Sequence, residues 1–189
     1  MSKKNVALFQ SFQLAQGINL RNRVIMAPMT TWSSNDDYTV SEQELEYIRH
    51  RVQGVGLVIT GCTHVQENGI GFSNEFAAYD DRFTDSLAKL AKAAKSGGAL
   101  AILQIFHAGN KAVPSLIPNS DLVSASELKA PAGPFNDGQL QSRALSHEEI
   151  LETIRAFGET TRRAIEAGFD GIELHGAHGF LIQNFFSPL

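Results

Sequence analysis

The chain has 189 residues, 43% hydrophobic and 19% charged, with a net charge of -4. These are the proportions of an ordinary globular protein, and the slight acidic excess argues against a nucleic-acid binder, which carries a basic stripe or surplus. The two lysines near the N-terminus precede no apolar stretch of signal-peptide length, and no segment approaches the length needed to cross a bilayer. The single cysteine, Cys62, cannot form an intramolecular disulfide, so a reducing cytoplasm is the expected setting.

Taken in order, the elements read as repeated strand–helix units. Two short apolar runs, residues 6–9 and 18–20, flank Gly17 and predict a hairpin ahead of the main fold. Residues 23–27 (Arg-Val-Ile-Met-Ala), closed by Pro28, read as a buried strand. Ser41 and Glu44 form the pattern of a capping box, after which Leu45, Ile48 and Val52 recur at helical spacing until Gly54. Residues 57–60 make a second strand. A second helix starts at Asp81 or Thr84, carries Phe83, Leu87, Leu90 and Ala94 inward, and stops at Gly97-Gly98. Residues 99–105 are a third strand. A Pro- and Ser-rich excursion over residues 109–145 is too long for a bare connector and has the length of a functional lid. Ser146 and Glu149 make a second capping box for a helix with Ile150, Ile154, Phe157 and Ala164 on one side, and residues 169–174 are a fourth strand.

The strands are continuous apolar runs, as parallel strands covered on both faces are, and strand–helix alternation implies right-handed crossovers. A doubly wound sheet and a (β/α)₈ barrel both satisfy this order. In a barrel, chemistry gathers at the C-terminal ends of the strands, and each strand end here is chemically distinctive. The first gives Pro28, Met29, Thr30 and then Trp32. The second gives Cys62 and His64, the third Gln104 and His107, the fourth His175 and His178. His64 and His107 fit structural roles, whereas two imidazoles among small residues at 175–179 predict an approachable loop. Gln104 is an amide inside an apolar strand, where an unpartnered polar group is costly; it meets either backbone or a ligand, and the ligand is the favoured reading. Trp32 fits packing and ligand contact equally. Cys62 reads as a small buried residue before a nucleophile. Neither G-x-G-x-x-G nor G-x-x-x-x-G-K-[ST] occurs, so no Rossmann or P-loop phosphate site is indicated.

Three stretches resemble one family. Arg21-Asn-Arg-Val-Ile-Met-Ala-Pro-Met-Thr30, Gln104-Ile-Phe-His-Ala-Gly109, and Phe169-Asp-Gly-Ile-Glu-Leu-His-Gly-Ala-His-Gly-Phe-Leu-Ile-Gln183 are similar, in this order, to motifs of the old yellow enzymes. The resemblance implies an α/β fold: four parallel strands with an N-terminal hairpin, forming the N-terminal half of a (β/α)₈ TIM barrel, with residues 1–189 an incomplete FMN-binding domain. It implies FMN across the barrel mouth, with NADH or NADPH as reductant and hydride passed to an activated alkene or similar small-molecule acceptor. By position, Pro28, Met29 and Cys62 would offer backbone to the flavin, Thr30 its hydroxyl near O4 and N5, and Gln104 its amide to the pyrimidine edge. His175 and His178 would be catalytic, holding the acceptor's oxygen, and Trp32 would touch substrate. Phe180 departs from the pattern, standing where many relatives have a proton-donating tyrosine. The family's phosphate-gripping loops lie on later strands, so the chain alone is expected to be incompetent, and either a C-terminal half or another copy is expected to complete it. Two other readings remain open: a metal-dependent barrel hydrolase using His64, His107, His175, His178 and Glu173, and a non-catalytic fragment.

Overall fold

The computed structural model describes residues 6–129, 132 and 141–188. The hairpin forms from strands β1 (Phe12–Ala15) and β2 (Ile18–Leu20), paired antiparallel. Gly17, with φ +80°, supplies the left-handed turn residue that a side chain would disfavour. The first arm is therefore Phe12–Ala15, and residues 6–9 are not part of it. That apolar run instead holds a 3₁₀ turn, and the carbonyls of Ala7 within it and Gln10 just after it accept from the Arg23 guanidinium at 2.7 and 3.1 Å.

The main sheet carries β3 (Ile25–Met26), β4 (Leu57–Ile59), β7 (Leu100–Phe106) and β10 (Gly171–Leu174), side by side, parallel and in chain order. The second strand does not run straight through Thr60. It breaks there and resumes as β5 (Thr63–His64), which pairs with the far end of β7 and with β6 (Phe76–Ala77). Helices α1 (Glu42–Arg51), α2 (Thr84–Lys95) and α3 (His147–Glu166) are the crossovers. The result is half of a (β/α)₈ barrel, with β3 and β10 as its two edges. Within residues 109–145 the chain makes three 3₁₀ turns and pairs β8 (Val123–Ser124) with β9 (Arg143–Ala144); much of residues 130–140 lies outside the described residues.

Two apolar clusters sit on opposite sides of the sheet. Toward the helices, Ala101, Leu103 and Ile105 of β7 pack with Leu45, Ile48 and Val52 of α1 and Leu87, Leu90 and Ala94 of α2. On the other side, Cys62, Ile70, Phe106, Ala112 and Phe180 form a second cluster. The two-residue alternation of β7 thus sends Gln104 to the inner side. Along α3 the buried residues are Thr153, Thr160 and Ala164. Ile150, Ile154 and Phe157, on the same side as Ala164, line an open groove of about 440 Å³ with Leu174, Leu181 and Phe186, and Phe157 also packs against the core. A helix whose apolar arc is wider than one neighbour can cover leaves part of it in the open.

The two capping boxes fare differently. At α3, Ser146 accepts from the Glu149 amide and Glu149 accepts from the Ser146 amide, which closes the box. At α1, Ser41 accepts from the Glu44 amide at 3.2 Å, but the Glu44 carboxylate turns away to the hydroxyls of Thr31 and Ser33.

His64 and His107 are core residues. His64 Nδ1 lies 2.9 Å from Glu75 Oε1, with both side chains fully enclosed, and burial lowers the imidazole to about 3 while raising the carboxyl. His107 Nδ1 accepts from the Gly109 amide at 3.0 Å, so the ring proton sits on Nε2, 3.1 Å from Asn68 Oδ1. Gly69 lets that ring approach, since a Cβ there would lie 2.9 Å from it.

Two measurements check this account. Ser146→Ala removes one half of the closed box and should cost about 1 kcal/mol in equilibrium denaturation. His107 is held at about 4, below the ordinary 6.5, by burial. Unfolded, the ring takes its proton near 6.5; folded, it waits until about 4. Its contribution to stability is therefore intact above the upper value and declines as pH falls through the window, by about 1.4 kcal/mol per pH unit. The His107 ring resonances should stay constant from pH 8 to 5, and a midpoint near 6.5 would refute the assignment.

Candidate functional site

At the C-terminal ends of the strands lies a cavity of about 390 Å³ lined by Pro28, Thr30, Cys62, Gln104, His175 and His178, together with Phe72, Glu173, Leu174 and Phe180. Six residues singled out in the sequence therefore converge, although they are drawn from all four barrel strands. Two do not line it. The Met29 side chain turns outward, its sulfur 4.0 Å from the Tyr47 hydroxyl. Trp32 stands behind Phe72, with ring centroids 6.2 Å apart and planes at 29°.

The first wall of the cavity exists because the second strand breaks. At the break, Gly61 lies against the loop leaving β3 so closely that a Cβ would be 2.6 Å from the Met29 carbonyl oxygen. This approach brings Thr30 Oγ1 to 2.9 Å from Cys62 Sγ. Burial raises the Cys62 thiol, reinforced by the nearby Glu75 charge, so the sulfur keeps its hydrogen.

The polar floor is a pair. Gln104 and Glu173 are direct neighbours in the parallel register of β7 and β10, and Gln104 Nε2 donates to Glu173 Oε1 at 2.7 Å. A carboxylate accepts and does not donate, so the amide must turn its NH₂ toward Glu173. Glu173 was weighed in the sequence only as a metal ligand. Its adjacency to Gln104 follows from strand register, which the linear sequence does not display.

The opposite wall is the loop after β10. His175 and His178 stand with ring centroids 4.9 Å apart at 71°. The Ala177 amide donates to His175 Nδ1 at 3.3 Å, which leaves the ring proton on Nε2. Partial burial lowers the His175 pKa, and the neighbouring His178 lowers it further; a neutral donor results. His178 has φ +59° and Gly179 φ +73°, a turn to which the Lys111 ammonium donates at the His178 carbonyl. Phe180 is buried beneath the pair, 4.9 Å from His175 and 4.8 Å from Phe106 between centroids. Phe72 extends this aromatic surface toward Trp32; nothing in its sequence neighbourhood marked it.

This donor set fits a flavin. The volume lies within the roughly 300–1,000 Å³ of small-molecule sites, one wall offers backbone and a hydroxyl, the floor offers a fixed amide, and the facing wall offers two imidazoles. With His64 and His107 engaged elsewhere, no group of three His, Cys, Asp or Glu side chains among the described residues is placed to hold a metal ion. Among the same residues, no helix is long and apolar enough to cross a membrane.

The chain is similar to known flavin oxidoreductases. The probable NADH-dependent flavin oxidoreductase YqiG of Bacillus subtilis is 45% identical over 188 residues, covering 100% of this chain and 49% of its own length. The NADH:fumarate oxidoreductase of Klebsiella pneumoniae is 42% identical over 97% of this chain and 20% of itself. The chain thus spans half or less of these relatives. Among solved structures, morphinone reductase in complex with tetrahydroNAD superposes with a TM-score of 0.87 at 28% identity, over 97% of this chain and 53% of that one. The family described as NADH:flavin oxidoreductase / NADH oxidase, whose members use FMN, matches residues 7–189, and the chain belongs to that family.

Proposed function

We propose that residues 1–189 form the first four strands of an incomplete FMN-binding barrel domain, and that the protein moves hydride from NADH or NADPH to an electron-poor acceptor, an activated alkene or similar small molecule. The observation that carries this reading is the meeting of Thr30, Gln104 and His175 at one cavity. FMN, when bound there, supplies the hydride relay between the nicotinamide and the acceptor.

The chain's own residues have distinct tasks in this reading. Backbone at Pro28, Met29 and Cys62 would hold one side of the flavin ring. The Thr30 hydroxyl, held 2.9 Å from the Cys62 sulfur, would contact the O4 and N5 edge. With its NH₂ engaged by Glu173, Gln104 has its carbonyl oxygen left to accept, and would hold an N–H of the flavin's pyrimidine edge. His175 and His178 direct N–H groups at the acceptor's oxygen and stabilise the charge that grows there. His175 does so as a neutral donor with its proton fixed on Nε2. Phe72 closes the far end of the acceptor's space, with Trp32 stacked behind it. The Klebsiella relative is named for fumarate, an alkene conjugated to carboxyl groups, which supports an oxygen-bearing acceptor. Phe180 has no proton to give, so either water would protonate the acceptor or the preferred acceptor is one that needs no side-chain proton donor. The edges β3 and β10 and the groove beside α3 are the surfaces that the remaining strands, or a second copy, would cover.

The histidine assignment has a direct test. His175→Ala combined with His178→Ala should weaken binding of a phenolic ligand by ~10-fold, the loss of one to two hydrogen bonds, while FMN titration, followed by its visible absorbance, is unchanged. Equal phenol affinity in the double variant would remove the proposed role. An FMN titration abolished along with it would place the pair in flavin binding instead.

A further inference from the structure

The loop that leaves β3 carries a residue in a costly conformation. Trp32 has φ +53°, a left-handed backbone that a bulky side chain adopts only when its surroundings impose it. The residues on either side of it are held by a single atom. Thr31 Oγ1 and Ser33 Oγ donate to Glu44 Oε2 at 2.6 and 2.9 Å, and the two hydroxyls lie 3.0 Å from one another. Glu44 is 1% exposed. Its other oxygen, Oε1, is buried with no hydrogen-bond partner among the described residues.

This is an expensive place for a carboxylate. The ordinary alternative, closing the capping box onto the Ser41 amide, is one helical turn away and is not taken. Enclosing an oxygen without a partner costs free energy, so the gain must come from the loop. What the loop gains is a fixed indole. Ser34 is tied separately, its amide donating to the Asn74 carbonyl at 2.9 Å, and Trp32 is left stacked on Phe72, which itself lines the cavity and meets Phe180 edge-on at 6.1 Å. Glu44 lies outside the cavity and acts on it only through this loop.

We propose that Glu44 is a positioning residue for the acceptor site: by gripping Thr31 and Ser33 together it fixes Trp32 against Phe72, which forms part of the cavity's aromatic wall. Its relevance to the acceptor rests on the reading of the cavity given above; its hold on Trp32 does not. The grip needs one oxygen that accepts two hydroxyls. A glutamine at position 44 can set its carbonyl oxygen where Oε2 lies and its NH₂ where Oε1 has no partner, so it preserves the grip, and an alanine abolishes it.

Trp32 is the only tryptophan in the chain, so its fluorescence reports the wall with neither flavin nor substrate present. In Glu44→Ala, and independently in Thr31→Val combined with Ser33→Ala, the steady-state anisotropy of Trp32 should fall and its quenching by acrylamide should rise toward that of free N-acetyltryptophanamide. Glu44→Gln should keep both near the wild-type values. The Thr31/Ser33 double variant leaves the buried carboxylate in place, so it decides the matter if Glu44→Ala does not fold by far-ultraviolet circular dichroism. A folded double variant with unchanged anisotropy and quenching overturns the proposal, as does Glu44→Gln behaving like Glu44→Ala. A phenol titration of the same variants addresses the other question. If the indole is released and phenol affinity stays constant, the grip stands and the acceptor-wall reading of Trp32 fails.

Discussion

One steric constraint underlies the rest: two lengths of backbone can touch at the mouth of this half-barrel only where a side chain is missing. Gly61 sits in the break of the second strand with the Met29 carbonyl where its Cβ would be. That contact draws the exit of the first strand across the second. It brings the Thr30 hydroxyl onto the Cys62 thiol and aligns Pro28, Thr30 and Cys62 as one wall.

The remaining walls depend on register. Parallel pairing of β7 with β10 sets Gln104 beside Glu173, and one hydrogen bond then fixes the amide's orientation. Beyond the strand end, the left-handed pair His178 and Gly179 folds the loop back so that both imidazoles stand over Phe180. Each wall is a local consequence of strand geometry, and the site is what results when the four strand ends are brought side by side. Two buried glutamates tie down the loops around it. Glu44 takes the hydroxyls flanking Trp32, and Glu75, bonded to His64, takes the Gly71 amide beside Phe72.

Much of this was legible in the residues, and the failures have physical causes. Gln104 stood out because an amide in an apolar strand needs a partner. The histidine pair stood out because small residues surround it. The four strands and three helices were visible from apolar runs and glycine stops. The end of the second strand near Thr60 was legible, but its resumption at Thr63–His64 was not, because two residues are too short a run to show a strand in the linear sequence. The Ser41–Glu44 pattern is locally that of a capping box; only tertiary structure reveals the two hydroxyls that outcompete the Ser41 amide. Ile150 and Ile154 share the helical period of Ala164, and periodicity cannot say which part of an apolar arc a neighbour covers. The hairpin was placed one run too early because Val6, Leu8 and Phe9 are as apolar as the arm that forms.

Cys62 is the chain's sole thiol, it is buried, and it sits at the joint between the first two strands. A disulfide reagent can reach it only when that joint opens, because a shielded, protonated sulfur is unreactive. The rate of its modification therefore acts as a clock on local breathing of the cavity wall. Compared with the rate of global unfolding, it tells whether the mouth of the half-barrel loosens by itself or only when the whole chain lets go.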